Sequence, residues 1–181
     1  LALGALMKST GRLYAFDINE KRLQGLTPRM RRAGLSNVHP VAIRDEKDNR
    51  IKRLRGKFDR VLVDAPCTGT GTLRRNPDLK WRLTPAELDR INAVQKSVLE
   101  EAAKLLKAEG RIVYATCSVL QRENQDVVHA FLAAHPEFEL LNATDILAKQ
   151  GVTLPDFQKD EFGDFFVMLP HRHHTDGFFA A

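Results

Sequence analysis

The stretch FDRVLVDAPCTGTGT, residues 58–72, decides how this chain folds. Phe58 to Asp64 is an apolar, β-branched run that ends in a carboxylate, as expected of a buried strand in a parallel sheet. The chain then turns. Pro66 stiffens the turn, while Gly69 and Gly71 let the main chain approach a planar ligand closely. In open α/β sheets, ligands bind beyond the carboxyl ends of the strands.

Working outward, the same pattern repeats. RLYAFD (12–17) is a short apolar run ending in an acid, and VHPVAI (38–43) and RIVYAT (111–116) read as further strands. Helices alternate with them. Leu1 to Lys8 reads as the tail of a helix. Glu20 to Ala33 carries Leu23, Leu26 and Met30 on one side, with Gly34 placed to end it. Pro28 is expected to kink or split that helix. Thr84-Pro85-Ala86-Glu87 is a capping box with proline at the first helical position. It opens a long helix whose expected buried stripe is Leu88, Ile91, Val94, Val98, Ala102 and Leu105, closed by Gly110. Arg122 to Ala134 reads as another helix. Short strands at 138–141, 165–169 and 177–181 are expected to form an antiparallel terminal segment. Residues 44–57 and 65–83 read as a charged connector and a loop.

This alternation predicts an α/β fold, a mostly parallel sheet with helices on both faces. No repeat or low-complexity tract marks a boundary, so residues 1–181 are expected to form one domain. A nucleotide-binding domain of this kind needs a glycine-rich loop after its first strand. None is present, so the first strand and its loop are expected to lie ahead of Leu1.

Composition narrows the class. With 181 residues, 43% hydrophobic and 28% charged, the chain can bury a core, and no apolar run is long enough for a membrane span. No secretory signal is evident, and a cytoplasmic protein is expected. The net charge of +5 mildly favours a polyanionic partner. Basic residues cluster at Lys21–Arg32, Arg44–Arg60 and Arg74–Arg82, where they either neutralise phosphates or form solvated faces. The two cysteines form no CxxC pair, so neither zinc nor any other metal site is expected. The histidines of HRHH (171–174) are read as a surface loop before the last strand.

The acids and thiols carry the chemistry. Asp17, Asp45, Asp64 and Cys117 each fall at or just past an expected strand end. In isolation, DAPC (64–67) is as easily a tight structural loop as a site, and a cysteine at a strand end is usually inert packing. Cys67 and Cys117 at the tips of successive strands are different, because adjacent strand ends converge on one pocket.

These residues resemble the Nol/Nop/Sun (RsmB-like) family of RNA cytosine-5 methyltransferases. The resemblance rests on Asp17, Asp45, DAPCTGTGTLRRNPDLKW, YATCSVLQRENQDVV and DGFF (176–179), in the family's order, over nearly the whole chain. It implies a Rossmann-like class I methyltransferase fold that uses S-adenosyl-L-methionine. It implies Cys117 as nucleophile toward cytosine carbon 6, and Cys67 as the group that helps remove the carbon 5 proton and release the product. Asp64 is implied to bind the cytosine edge and to lie close to the cofactor's methionine end. Asp17 is implied to hold the cofactor ribose and Asp45 to face the adenine amine.

The implied partner is RNA, ribosomal RNA first and transfer RNA second; a non-catalytic RNA-binding or ribosome-assembly module is the competing class. The family's glycine-rich GGK loop and its usual preceding RNA-binding domain have no counterpart here. Arg74, Arg75, Asn76 and Lys80 are candidates for RNA phosphates. Trp81 either stacks on a base or belongs to the core, and the core is the expectation.

Overall fold

The structure, a computed structural model, describes residues 1–152 and 162–181. These fall into two compact units, Leu1–Leu54 and Arg55–Ala181.

In the first unit, the apolar run after Gly11 forms β1 (Leu13–Asp17), which pairs in parallel with β2 (Val38–Ala42). α1 (Ala2–Leu6) precedes them, α2 (Glu20–Arg32) connects them and α3 (Asn49–Lys52) follows. Asn19 caps α2 by accepting the Arg22 amide at 3.2 Å, and Gly34, at φ +66°, ends it in the left-handed region. α2 runs unbroken through Pro28, contrary to the expected split. Pro28 and Gln24, whose carbonyl loses its amide partner, are both exposed, so water can take the freed group. Within the expected connector, buried Asp48 caps α3 by accepting the Arg50 amide at 2.9 Å and also takes the Arg44 amide at 3.0 Å.

In the second unit, β3 (Phe58–Asp64) runs parallel to β4 (Leu106–Thr116), with Asp64 opposite Ala115. β4 then pairs antiparallel with β6 (Phe178–Ala180), and β6 with β5 (Phe166–Met168), giving the order β3-β4-β6-β5. β3 is therefore the edge of this sheet, and Leu62 is exposed rather than buried. Between β3 and β4 come α4 (Leu79–Arg82) and the long α5 (Pro85–Ala103). Beyond β4 lie α6 (Gln125–Ala134), α7 (Ala143–Lys149) and the one-turn α8 (Pro170–His173). The core of this unit is Val63, Leu99, Tyr114, Val127, Phe131 and Phe179 with their neighbours.

Several expectations need correction. α5 ends at Ala103, not at Gly110, and β4 begins at Leu106. Phe58 pairs with Leu106 but Arg60 with Arg111, so β4 carries extra residues in a bulge where Glu109 takes φ +62°. The polar stretch Lys107–Gly110 thus imitates a helix end. The Thr84 hydroxyl accepts the Glu87 amide at 3.2 Å, but the Glu87 carboxylate turns to Arg90 instead of closing the box. Residues 138–141 form no strand, and α7 follows them. Arg122 belongs to a 3-10 turn (Gln121–Glu123) ahead of α6. HRHH lies mostly on α8, where His173 Nδ1 accepts the Leu169 amide at 2.8 Å. Among the described residues no helix is long and apolar enough to cross a membrane.

Candidate active site

The carboxyl ends of β3 and β4 place two loops side by side. β3 delivers Asp64, exposed at the strand tip, and Cys67 three residues on; β4 delivers Thr116 and then Cys117. The two sulfurs, one from each loop, lie 3.4 Å apart and are not joined in a disulfide. Asp64 and both thiols are thus gathered at one sheet edge.

The loops are locked together by groups the motifs do not advertise. Glu123, fully buried, aims its carboxylate between them. Its Oε1 accepts the Thr68 amide at 2.8 Å and the Gln95 side-chain amide at 3.2 Å. Its Oε2 accepts the Thr68 hydroxyl at 2.5 Å and the Ser118 hydroxyl. Thr68 follows Cys67 and Ser118 follows Cys117, so a single carboxylate grips the residue after each thiol. Gln95 also donates to the Pro66 carbonyl at 2.9 Å, and Asn92 donates to Gln95 Oε1 at 2.8 Å. Asn124 accepts the Thr116 hydroxyl at 2.6 Å and donates to the Ser118 carbonyl at 2.9 Å. The Tyr114 hydroxyl donates to the Glu123 carbonyl at 2.7 Å, and burial pushes its ionisation up.

The glycines complete the frame by excluding side chains. The Gly71 amide donates to the Cys117 carbonyl at 2.9 Å and the Gly177 amide to the Gly71 carbonyl at 2.8 Å. A Cβ on Gly71 would meet the Gly177 oxygen at 2.4 Å and the Cys117 oxygen at 2.6 Å, both backbone atoms that cannot give way. DGFF, at the end of the chain, therefore backs the thiol loops. Arg75 pairs with Asp176, and Arg74 donates to the His174 carbonyl at 3.0 Å, tying the loop after DAPC to the same segment.

The two sulfurs influence each other's ionisation. A hydrogen bond from Cys67 pulls Cys117 down to about 7, against burial and the charges of Asp64 and Glu123. Cys67 is pushed up, first by that same bond and then by burial. No acid or histidine beside Cys117 in the sequence explains a reactive thiolate; its neighbour in space does. The thiolate is the alkylating form, so the rate of Cys117 alkylation by iodoacetamide is expected to rise with pH through about 7. In Cys67→Ala the midpoint should move upward, which mass-spectrometric peptide mapping across a pH series will read.

Asp17 and Asp45 belong to the first unit, at the carboxyl ends of its two parallel strands. Asp17 closes β1, accepts the Asn19 amide at 2.7 Å and stands 3.9 Å from Arg22. Asp45 lies three residues past β2, exposed, with one oxygen on the Lys47 amide at 2.8 Å. Ile18, next to Asp17, is 71% exposed. An acid with an accessible oxygen beside an exposed aliphatic surface suits a nucleoside, whose hydroxyls and base need those two kinds of contact.

The sequence profile of the 16S rRNA methyltransferase RsmB/F family matches residues 2–181. The chain belongs to this family. The RsmB/F chain is 35% identical over 180 residues to the probable ribosomal RNA small subunit methyltransferase B of Bacillus subtilis, covering 99% of itself and 39% of that protein. It superposes on the crystal structure of PH0851 with a TM-score of 0.85 at 36% identity, covering 99% of itself and 38% of that chain. NSun6 from Pyrococcus horikoshii, solved with SFG, an S-adenosylmethionine analogue, gives a TM-score of 0.79 at 26% identity, with coverages of 99% and 42%. The RsmB/F chain thus has the Rossmann-like fold of S-adenosylmethionine-dependent methyltransferases, and that compound is the family's methyl donor. It spans about two fifths of the length of these relatives.

Sequence reasoning missed Glu123, Gln95, Asn92 and Asn124. A signal for two of them existed. Positions 92, 95, 99 and 102 follow helical spacing, and on α5 that face is the buried one, whereas Leu88, Ile91, Val94 and Val98 are only half-buried. Polar residues in line with Leu99 and Ala102 mark a helix face that serves a polar site. Trp81 was expected in the core and is 79% exposed. On the single turn of α4, Leu79 takes the inward place, its Cδ1 3.7 Å from where a Gly69 Cβ would stand. The side chain two residues on points away from that contact.

Proposed function

We propose that the protein containing this chain methylates carbon 5 of a cytosine in small-subunit ribosomal RNA, with residues 1–181 as its catalytic domain. The observation that carries this reading is the 3.4 Å approach of Cys67 and Cys117 at adjacent strand tips, with Cys117 the more acidic of the two. Carbon 5 of cytosine is a poor nucleophile until carbon 6 has been attacked, so a thiolate is the feature this reaction needs and ordinary nitrogen or oxygen methylation does not.

The Cys117 thiolate adds to carbon 6, the carbon 5–carbon 6 π bond opens, and electron density moves onto carbon 5 and ring nitrogen 3. Asp64, exposed beside the thiols, accepts a hydrogen bond from the exocyclic amine, or shares a proton with ring nitrogen 3, holding the base in register. When bound, S-adenosylmethionine would supply the methyl group that carbon 5 takes, with S-adenosylhomocysteine as the leaving group. Cys117 is by then a neutral thioether, so the thiolate that held the Cys67 proton in place is gone. Cys67 can ionise, take the carbon 5 proton, and let the carbon 6–sulfur bond break. That returns the electron pair to Cys117 and restores the ring π bond.

Asp17 and Asp45 fit the cofactor's polar ends: Asp17 the ribose hydroxyls, with Ile18 beside the base, and Asp45 the adenine amine. Asp64 would take the methionine end. The test is to incubate the full-length protein with S-adenosylmethionine and small-subunit ribosomal RNA and to analyse the nucleosides by mass spectrometry. 5-Methylcytidine is the expected product. Methylation at a nitrogen or ribose oxygen instead, or 5-methylcytidine only in transfer RNA, would refute the chemistry or the substrate respectively.

A further inference from the structure

The loop after DAPC carries the most exposed aromatic of the described residues. Trp81 is 79% exposed at the end of a segment that is held firmly at both sides. Leu79 packs on the Gly69 turn, Asn76 donates to the Thr72 hydroxyl at 3.1 Å, and Arg74 and Arg75 anchor to the segment before β6. The indole is thus presented from an ordered base. Its surroundings are cationic, since residues 73–83 hold Arg74, Arg75, Lys80 and Arg82 against the single acid Asp78. Asp78 pairs with Arg82 and Asp176 with Arg75. Arg74 and Lys80 face no carboxylate within ion-pair distance among the described residues.

Lys80 links this aromatic to the thiols. Its Nζ lies 4.8 Å from the centre of the Trp81 ring, and it also lines a cleft of about 220 Å³ with Thr68, Thr70, Leu73, Leu79 and Leu83. Thr68 is the residue after Cys67. The cleft therefore runs from the thiol loop to the cation over the indole. An enzyme acting at a ring carbon must take its base out of the stack, which strips the adjacent nucleotide of a stacking partner. An exposed indole on an anchored turn, with cations beside it that face no carboxylate, suits that neighbour in both its π face and its phosphate.

We propose that Trp81 is the stacking platform for the nucleotide adjacent to the target cytosine, with Lys80 neutralising its phosphate. The inference rests on the reading that the protein acts on a cytosine of small-subunit ribosomal RNA at Cys117, and its test does not depend on turnover. The full-length protein, its Trp81→Ala and its Trp81→Phe variants are titrated by filter binding with small-subunit ribosomal RNA transcribed with 4-thiouridine. They are then irradiated, and the crosslinked peptides are mapped.

Loss of one base–aromatic stack should weaken RNA binding about tenfold to a hundredfold in Trp81→Ala, with most affinity recovered in Trp81→Phe. Melting temperature and S-adenosylmethionine affinity should not change, and crosslinks in the parent protein should fall on the peptide holding Trp81. Unchanged RNA affinity, or crosslinks confined to other peptides, would overturn the proposal. So would a lowered melting temperature in Trp81→Ala, which would mean that the indole packs against protein. Stacking-dependent binding without 5-methylcytidine would instead fault the proposed reaction and leave the platform standing.

Discussion

Cys67→Ala in the full-length protein is expected to accumulate a covalent RNA adduct that survives a denaturing gel, whereas Cys117→Ala forms none. The two sulfurs are 3.4 Å apart, so each variant leaves the other thiol in place at the same strand edge. Without Cys117 nothing adds to carbon 6, and methyl transfer should fall on the order of 10⁴-fold or more. Without Cys67 the first addition still proceeds, more slowly at neutral pH, because the hydrogen bond that pulls Cys117 down is gone. The methylated adduct then lacks the base that removes the carbon 5 proton, so it persists. Raising the pH should quicken adduct formation in Cys67→Ala, as the unassisted thiol ionises. Adducts that depend on Cys67 instead would exchange the roles. No adduct and no methylation from any variant would leave the non-catalytic RNA-binding module as the standing explanation.

The parts of this arrangement that were legible in the sequence are those where local pattern and backbone geometry agree. FDRVLVD forms a strand over its whole length, and DAPC and TCS sit at neighbouring tips because alternation of strands and helices places them there. What escaped the reading are contacts that close over distance in the chain. Glu123 is one acid in RENQ until Thr68, 55 residues away, donates to it. Gln95 is one of many polar residues of an amphipathic helix and becomes meaningful only when its amide reaches the Pro66 carbonyl. The ionisation of Cys117 has no cause along the chain, and its cause is a thiol 50 residues distant. Trp81 misled for the opposite reason. Large aromatics are usually at least partly buried, but the turn around it has one inward place and Leu79 holds it.

Glu123→Ala should be among the most damaging substitutions in the chain, although the residue touches no sulfur in the hydrogen-bond network described. Its carboxylate accepts four hydrogen bonds and is fully buried. Removing it takes an acceptor from the Thr68 amide, the Gln95 amide and the Thr68 and Ser118 hydroxyls, at a cost of about 3–5 kcal/mol. For a domain of this size that corresponds to a fall in melting temperature on the order of 10 °C, measurable by calorimetry. Glu123→Gln separates stability from alignment. It preserves volume and one acceptor oxygen, but its amide nitrogen must face either the Thr68 and Gln95 amides or the Thr68 and Ser118 hydroxyls, so the grip that two acceptor oxygens gave is weakened. The expected result is a smaller drop in melting temperature than in Glu123→Ala, together with a fall in single-turnover methyl transfer and little change in RNA affinity. If Glu123→Gln instead lost stability and RNA affinity together while its single-turnover rate stayed intact, Glu123 would be a buried anchor and no more. A carboxylate that grips the residue after each thiol should make itself felt in the rate, because the distance it sets is the one the two-thiol reaction depends on.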